Sequence, residues 1–237
     1  MNSSTSSPVV AVLGMHRSGT SWLAGSLQEK GLELGEVSEA NPHNAKGNRE
    51  NKVLMDLHEE VLRANEGSWK RPRFPNRWTD EQRARLAEFV TQMDESYPRW
   101  GFKDPRSLFL LDEWRRRLGG RLLRIGIFRH PLAVHRSLHK RNERFTVRRS
   151  LRVWKAYNER LVAEHEREPF PMIRFDVDPE TLQSSLDAAC GTIELAGDER
   201  PAGFFDASLV HNDAAEERVP WRCRGLWSRL LATTRGA

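Results

Sequence analysis

Residues 12–21 read VLGMHRSGTS and follow the apolar run Val9-Val10-Ala11. Gly14, four residues, Gly19 and Ser21 fit the phosphate-loop frame G-x-x-x-x-G-K-[ST], but Thr20 stands where the lysine belongs. In such a loop the backbone N–H groups and a helix N-terminus make an anion site. The lysine normally balances the charge of the β- and γ-phosphates. Its nearest substitute here is Arg17, whose planar guanidinium suits a tetrahedral oxyanion. Thr20 and Ser21 add hydroxyl donors at the helix start.

A second departure lies in RLLRIGIF (121–128). A nucleoside triphosphatase needs an aspartate after this kind of apolar strand to hold magnesium. The chain places Arg129 there, so an anion site replaces a cation site and no metal is expected. Pro131 suits the first position of a helix. Ser137 then lies two turns in, with Arg141 four residues further on the same face. Arg129 and Ser137 can grip one phosphate while loop 14–21 grips another, which implies a ligand with two anionic ends. Residues 115–152 hold thirteen Arg/Lys and one acid, Glu143, a local charge of +12 in a chain of net +5. A nucleic-acid surface would explain this stripe but leaves loop 14–21 without a role. A small-molecule or nucleotide kinase would need the lysine and the carboxylate that are missing.

These residues need a scaffold that brings strand ends together. Pro8–Leu13 reads as a buried strand and Thr20–Lys30 as a helix stopped by Gly31. The segment SEANPHNAKGN is a loop. A helix from Arg49 to Ala64 has Val53, Leu54, Leu57, Val61 and Leu62 on one face. Residues 66–78, with two prolines and two tryptophans, are irregular, and Thr79-Asp80-Glu81 caps a helix to Ser96. WGFKDP (100–105) is a short strand ending in a turn, followed by a helix over Leu108–Leu118. After the strand 121–128 come helices from Pro131 and over Val147–Glu166. A third confident strand spans 171–176, and Asp178-Pro179 opens a helix to Ala189. Beyond Gly197 the segment reads as irregular, with one short helix near Trp227. Alternating strands and helices predict an α/β layer fold with a largely parallel sheet.

With 38% hydrophobic residues, 237 residues suffice for one domain over 1–237, with 1–7 as a lead-in and 198–237 as an irregular C-terminal segment. No run reaches the roughly 18 apolar residues of a membrane span. The start MNSSTSSP lacks the features of a secretory signal, and Cys190 and Cys223 read as free thiols. Together these predict a cytoplasmic protein.

The chain resembles the PAPS-dependent sulfotransferases, specifically their soluble bacterial branch. The resemblance rests on GMHRSGTSWLAGSL (14–27), NAKGNRE (44–50), WGFKDPRSLFLLDEWR (100–115) and FRHPLAVHRSL (128–138). VWKAYNERL (153–161), RFDVDPETL (174–182) and FFDASLVH (204–211) extend it over most of the chain. It implies a three-layer α/β/α fold, P-loop NTPase-like, with a central mostly parallel sheet. It implies transfer of a sulfuryl group from PAPS (3′-phosphoadenosine 5′-phosphosulfate) to a hydroxyl or amine of a small-molecule or carbohydrate acceptor. Neither a metal nor a nucleic-acid partner is implied. His16, Arg17, Ser18, Gly19, Thr20 and Ser21 match the loop for the 5′-phosphosulfate, and Arg129 and Ser137 match the pair for the 3′-phosphate. Lys103 matches a lysine at the transferring group, where Arg17 shares the charge. Glu50 best matches the general base, with Glu36, Glu39 and His43 as alternatives. Asp104 shapes the turn or pairs with an arginine. Loop 66–78 either faces the acceptor, with Trp69 and Trp78 to stack and Lys70, Arg71 and Arg73 to attract an acid, or packs on itself as a lid. Trp154 and Tyr157 are expected in the core.

Overall fold

The computed structural model describes residues 7–37, 47–195 and 217–234. Four parallel strands form one sheet: β1 (Val9–Gly14), β2 (Trp100–Lys103), β3 (Leu122–Phe128) and β4 (Met172–Arg174), in the order β2-β1-β3-β4. Val9 is in register with Trp100 on one side and Leu122 on the other, and Gly126 with Met172. The whole of β1 is buried, as a central parallel strand covered on both faces must be.

Strand alternation splits the core. Val10 and Val12 face a cluster with Leu23 and Leu27 of α1 (Thr20–Glu29) and Leu182 and Leu186 of α7 (Pro179–Thr192). Val9, Ala11 and Leu13 face the larger cluster. That side carries α2 (Lys52–Ala64), α3 (Asp80–Ser96), α4 (Leu111–Leu118), α5 (Pro131–Arg141), α6 (Val147–Arg167) and α8 (Arg224–Thr233). The result is the expected α/β/α arrangement. Trp114 stacks on Phe102 of β2 with centroids 3.9 Å apart. Trp154 and Tyr157 are both fully buried, as expected.

Helix starts follow their local chemistry. Thr79 and Gln82 form a reciprocal capping box on α3. Pro131 and Pro179 stand in the first turns of α5 and α7, and Asp178 accepts the Thr181 N–H. The largest departure from the sequence reading is α2, which begins at Lys52 rather than Arg49. Arg49 has φ 56°, outside helical backbone, and Asn51 caps the helix by accepting the Leu54 N–H. Val53, expected on the apolar face, is 64% exposed. Leu108 belongs to a 3-10 turn, Pro105–Phe109, and α4 starts only at Leu111. Trp78, read either as an acceptor contact or as part of a self-packing lid, is buried in the larger core, where it meets His58 edge-on. FFDASLVH lies outside the described residues, as do Glu39 and His43.

Cys190 and Cys223 are buried free thiols, and burial pushes the Cys190 thiol up to about 11. No helix among the described residues is long and apolar enough to cross a membrane.

The closeness of β1 and β2 depends on Gly101. A Cβ added there would stand 2.4 Å from the Val10 carbonyl oxygen, a backbone atom. Gly101→Ala is expected to lower the urea midpoint by the equivalent of about 1–3 kcal/mol at unchanged m-value. An unchanged midpoint would mean that the two strands do not approach this closely.

Candidate functional site

Chain order places a crevice before any side chain is considered. From β1 the chain goes out to β2, then crosses back to β3 on the other side of β1. Ligands of open α/β sheets bind beyond the strand C-terminal ends at such a reversal. A cleft of about 400 Å³ opens there, lined by the loop after β1, the segment before α2, Trp69-Lys70, the end of β2 and the α5–α6 link.

The loop after β1 is shaped by backbone strain at two positions. Arg17 has φ 68° and Gly19 has φ 94°. Gly19 precedes α1 without a side-chain cap, and the first turn holds no acid. The N–H groups of this helix start are therefore available to an anion. No other residue fits at Gly19, because a Cβ would lie 2.4 Å from the Phe175 ring. Ser18 is fully buried, and among the described residues its Oγ lacks a hydrogen-bond partner, as does the buried His16 Nε2. Thr20 is buried; Ser21 donates its hydroxyl to the Asn48 carbonyl at 3.1 Å, tying α1 to the approach to α2.

Arg17 lines the cleft and donates from Nε to Ser137 Oγ of α5 at 2.7 Å. Ser137, expected to grip the second anion with Arg129, is thus bonded to Arg17 of the first grip. Burial, then the neighbouring Arg141, lower the Arg17 guanidinium from its usual value, yet a guanidinium stays charged at any physiological pH. Arg129, at the end of β3, does not line the cleft. Its guanidinium lies 5.2 Å from the Phe175 ring, and its carbonyl accepts the Trp154 indole N–H at 2.9 Å. Phe175 therefore stands between Gly19 and Arg129.

On the β2 side lies a buried ionic cluster. Lys103, only 3% exposed, donates to Glu50 Oε1 at 2.7 Å. Arg106 Nη1 donates to Asp104 Oδ1 at 2.8 Å and stands 3.7 Å from Glu50 Oε2, while its Nε donates to Glu59 at 2.8 Å. Asp104 also caps the 3-10 turn by accepting the Arg106 N–H. Its second oxygen meets His58 Nδ1 at 2.8 Å, and His58 Nε2 accepts the Trp114 indole N–H. An indole can only donate, so the ring proton of His58 sits on Nδ1 and goes to Asp104. Burial alone would raise the Asp104 carboxyl, but Arg106 and His58 outweigh it and hold it well below the usual carboxylate range. Conversely, burial would lower Arg106, and Asp104 and Glu50 raise it instead. Asp104 thus does both things expected of it, shaping the turn and pairing with an arginine.

Glu50 and Lys103 come together with Arg17 and His16 around one cleft. Glu36 is exposed and does not line it. Of loop 66–78, Trp69 and Lys70 line the cleft; Arg71 and Arg73 are exposed and do not. Sequence reasoning missed His58, Glu59, Arg106, Phe145 and Phe175. A signal existed for His58, a polar residue inside the apolar run Leu54, Leu57, Val61 of α2. Among the described residues no group of three or more His, Cys, Asp or Glu side chains could hold a metal ion.

In fold, the chain is similar to the sulfotransferase domain of the olefin synthase from Synechococcus PCC 7002. The TM-score is 0.52 at 15% identity, over 100% of this chain and 92% of that one. The α/β layers and the parallel sheet are thus arranged in a sulfotransferase-like fold. No protein-family model matches the chain, and no curated protein matches it significantly in sequence.

Burial holds His16 well below the ordinary histidine value of 6.5, with Arg106 adding to the effect. Burial lowers His130, His135 and His165 as well. A histidine kept neutral in the folded state takes up its proton on unfolding near 6.5. Its stabilising effect is thus complete above that pH and is lost as pH falls below it. The urea midpoint is expected to be lower at about pH 5 than at about pH 7.5, and His16→Gln to narrow that difference. The same pH dependence in wild type and variant would contradict the assigned environment of His16.

Proposed function

We propose that residues 1–237 form one sulfotransferase domain that uses PAPS as donor and transfers its sulfuryl group to an acceptor hydroxyl or amine. The observation that carries this reading is the loop before α1. A glycine-turned, uncapped helix start with Arg17 in the lysine's place opens into the cleft of a sulfotransferase-like fold. The orphaned Ser18 Oγ and His16 Nε2 add polar atoms that an anionic donor group can satisfy.

The donor supplies an activated sulfuryl group. In the transfer, a bond forms from the acceptor oxygen to sulfur and the bond from sulfur to the bridging phosphate oxygen breaks. The acceptor proton goes to a base, leaving a sulfate ester and adenosine 3′,5′-bisphosphate. His16 to Ser21 would hold the phosphosulfate, and Arg129 and Ser137 the 3′-phosphate. Arg17 and Lys103 stabilise charge on the leaving oxygens. Glu50 is the base that this cleft offers. Its carboxylate is shared with Lys103 at 2.7 Å, so proton transfer to Glu50 requires Lys103 to move its charge toward the leaving group. Glu39 and His43 remain the alternatives to Glu50 if its replacement is harmless. This reading keeps the cytoplasmic location expected from the sequence.

Adenosine 3′,5′-bisphosphate at 100 times its dissociation constant is expected to stabilise the protein by about 2.7 kcal/mol, read as a rise in Tm. Absence of any rise would overturn the donor assignment. Arg17→Ala and Arg129→Ala should each weaken the nucleotide at least tenfold. Glu50→Gln should keep the nucleotide-induced rise but lower transfer from radiolabelled PAPS, over a panel of hydroxyl acceptors, by about 10²-fold or more. Unchanged transfer would move the base to His43 or Glu39.

A further inference from the structure

The cleft has more positive charge at its mouth than a two-ended donor accounts for. Phe145, buried in the link between α5 and α6, lines the cleft and stacks on Trp69 with centroids 5.6 Å apart. Two cations lie over its ring: Lys70, with Nζ 5.9 Å from the centroid, and Arg149, with its guanidinium carbon at 5.0 Å. Lys70 also lies 5.2 Å from the Trp69 ring. The aromatic pair thus serves as a floor that carries two cationic heads.

The nearby acids are engaged elsewhere. Glu66 pairs with Arg73, Glu159 with Lys155 and Glu217 with Arg136. Among the described residues no carboxylate pairs with Lys70, Arg149, Arg144 or Arg148, and Glu143, the one acid of residues 115–152, is exposed without joining them. Lys70 lines the cleft, and Arg149, exposed and outside the lining, reaches the same Phe145 ring, so the two raise the potential beside the cleft, which an incoming anion lowers. Lys70 and Arg149 belong to neither donor grip: they come from loop 66–78 and α6, whereas the grips come from the loop after β1, the end of β3 and α5.

We infer that the acceptor is itself anionic: a sugar ring bearing a carboxylate or an existing sulfate ester, held at Lys70 and Arg149 with the ring against Trp69. This deepens the sulfotransferase reading of the same cleft and rests on it. Nucleic acid fits less well, because among the described residues one short aromatic floor adjoins the cations, where a strand would need successive stacking platforms.

The test separates the two claims. Binding of adenosine 3′,5′-bisphosphate is measured first; if it fails, the sulfotransferase reading falls. With the protein saturated by that nucleotide, calorimetry then compares phenyl β-glucoside, phenyl β-glucuronide and phenyl 6-O-sulfo-β-glucoside. The two anionic glycosides are expected to bind about tenfold tighter or more than the neutral one. That advantage should shrink at high salt and vanish in Lys70→Gln/Arg149→Gln, while nucleotide affinity stays within about twofold. Preference for one anionic glycoside over the other identifies the carboxylate or the sulfate ester as the recognised group. Equal binding of neutral and anionic glycosides, no binding of any, or an advantage that survives both substitutions overturns the inference alone. Tighter binding of a single-stranded RNA oligonucleotide than of either anionic glycoside overturns it in favour of a nucleic-acid surface.

Discussion

The buried ionic cluster at the end of β2 constrains everything around it. Lys103, Asp104 and Arg106 sit within four residues of chain and are nearly excluded from water. Removing one partner from a buried pair leaves a charge with no compensation, at a cost of about 3–5 kcal/mol. The fold must therefore bring Glu50, Glu59 and His58 to them, and does so with α2 and the segment leading into it. This accounts for the awkward entry to α2. Arg49 takes a left-handed backbone and Asn51 caps the helix one residue after Glu50, leaving the Glu50 carboxylate free to turn inward to Lys103. Trp114 closes the far end by donating to His58 while stacking on β2. One aromatic side chain thus packs the core and completes the polar chain.

The strand order supplies the other constraint. A crevice beyond the C-terminal ends of the strands follows from the crossover, but its charge follows from particular residues. Gly14 lets β1 and β3 run close, since a Cβ there would lie 2.4 Å from the Ile127 carbonyl oxygen. Gly19 lets Phe175 pack on the loop, and Phe175 in turn lies against Arg129. Two glycines and one ring therefore set the distance between the loop cation and the strand-end cation. The link from Arg17 to Ser137 draws α5 onto the loop as well.

The sheet, the layer order and the loop before α1 were legible in the sequence because each has a local signature: apolar runs of strand length, glycines in a fixed frame, proline at a helix start. The pairing of Glu50 with Lys103 was foreshadowed only as two separate residues, since their contact spans 53 positions. Arg106 follows the lysine by three residues, yet nothing local says that it turns inward. That depends on Asp104 capping the 3-10 turn, which the reading of Leu108–Leu118 as one helix obscured. Neither reading of Trp78 placed it in the main core, because its neighbours form an irregular, basic loop, and such loops usually lie outside. Here Asn65 hydrogen-bonds the Arg77 backbone in both directions and pins that end of the loop to α2, which sends Trp78 into the core.

Glu50 and Lys103, held 2.7 Å apart, form one ion pair, and that bears on how the proposed reaction begins. Both are buried, and a buried charge is costly unless an opposite charge stands beside it. In the free protein each satisfies the other. An anionic group entering beside Arg17 offers Lys103 a second partner, and every share of the ammonium drawn to it is withdrawn from Glu50. The same ion pair thus holds two buried groups together in the free protein and, in the proposed reaction, would be the contact that an arriving donor loosens. A lysine in the loop before α1 would satisfy the entering anion from the other side. With threonine at position 20 and Arg17 bound to Ser137, the demand on Lys103 is correspondingly greater.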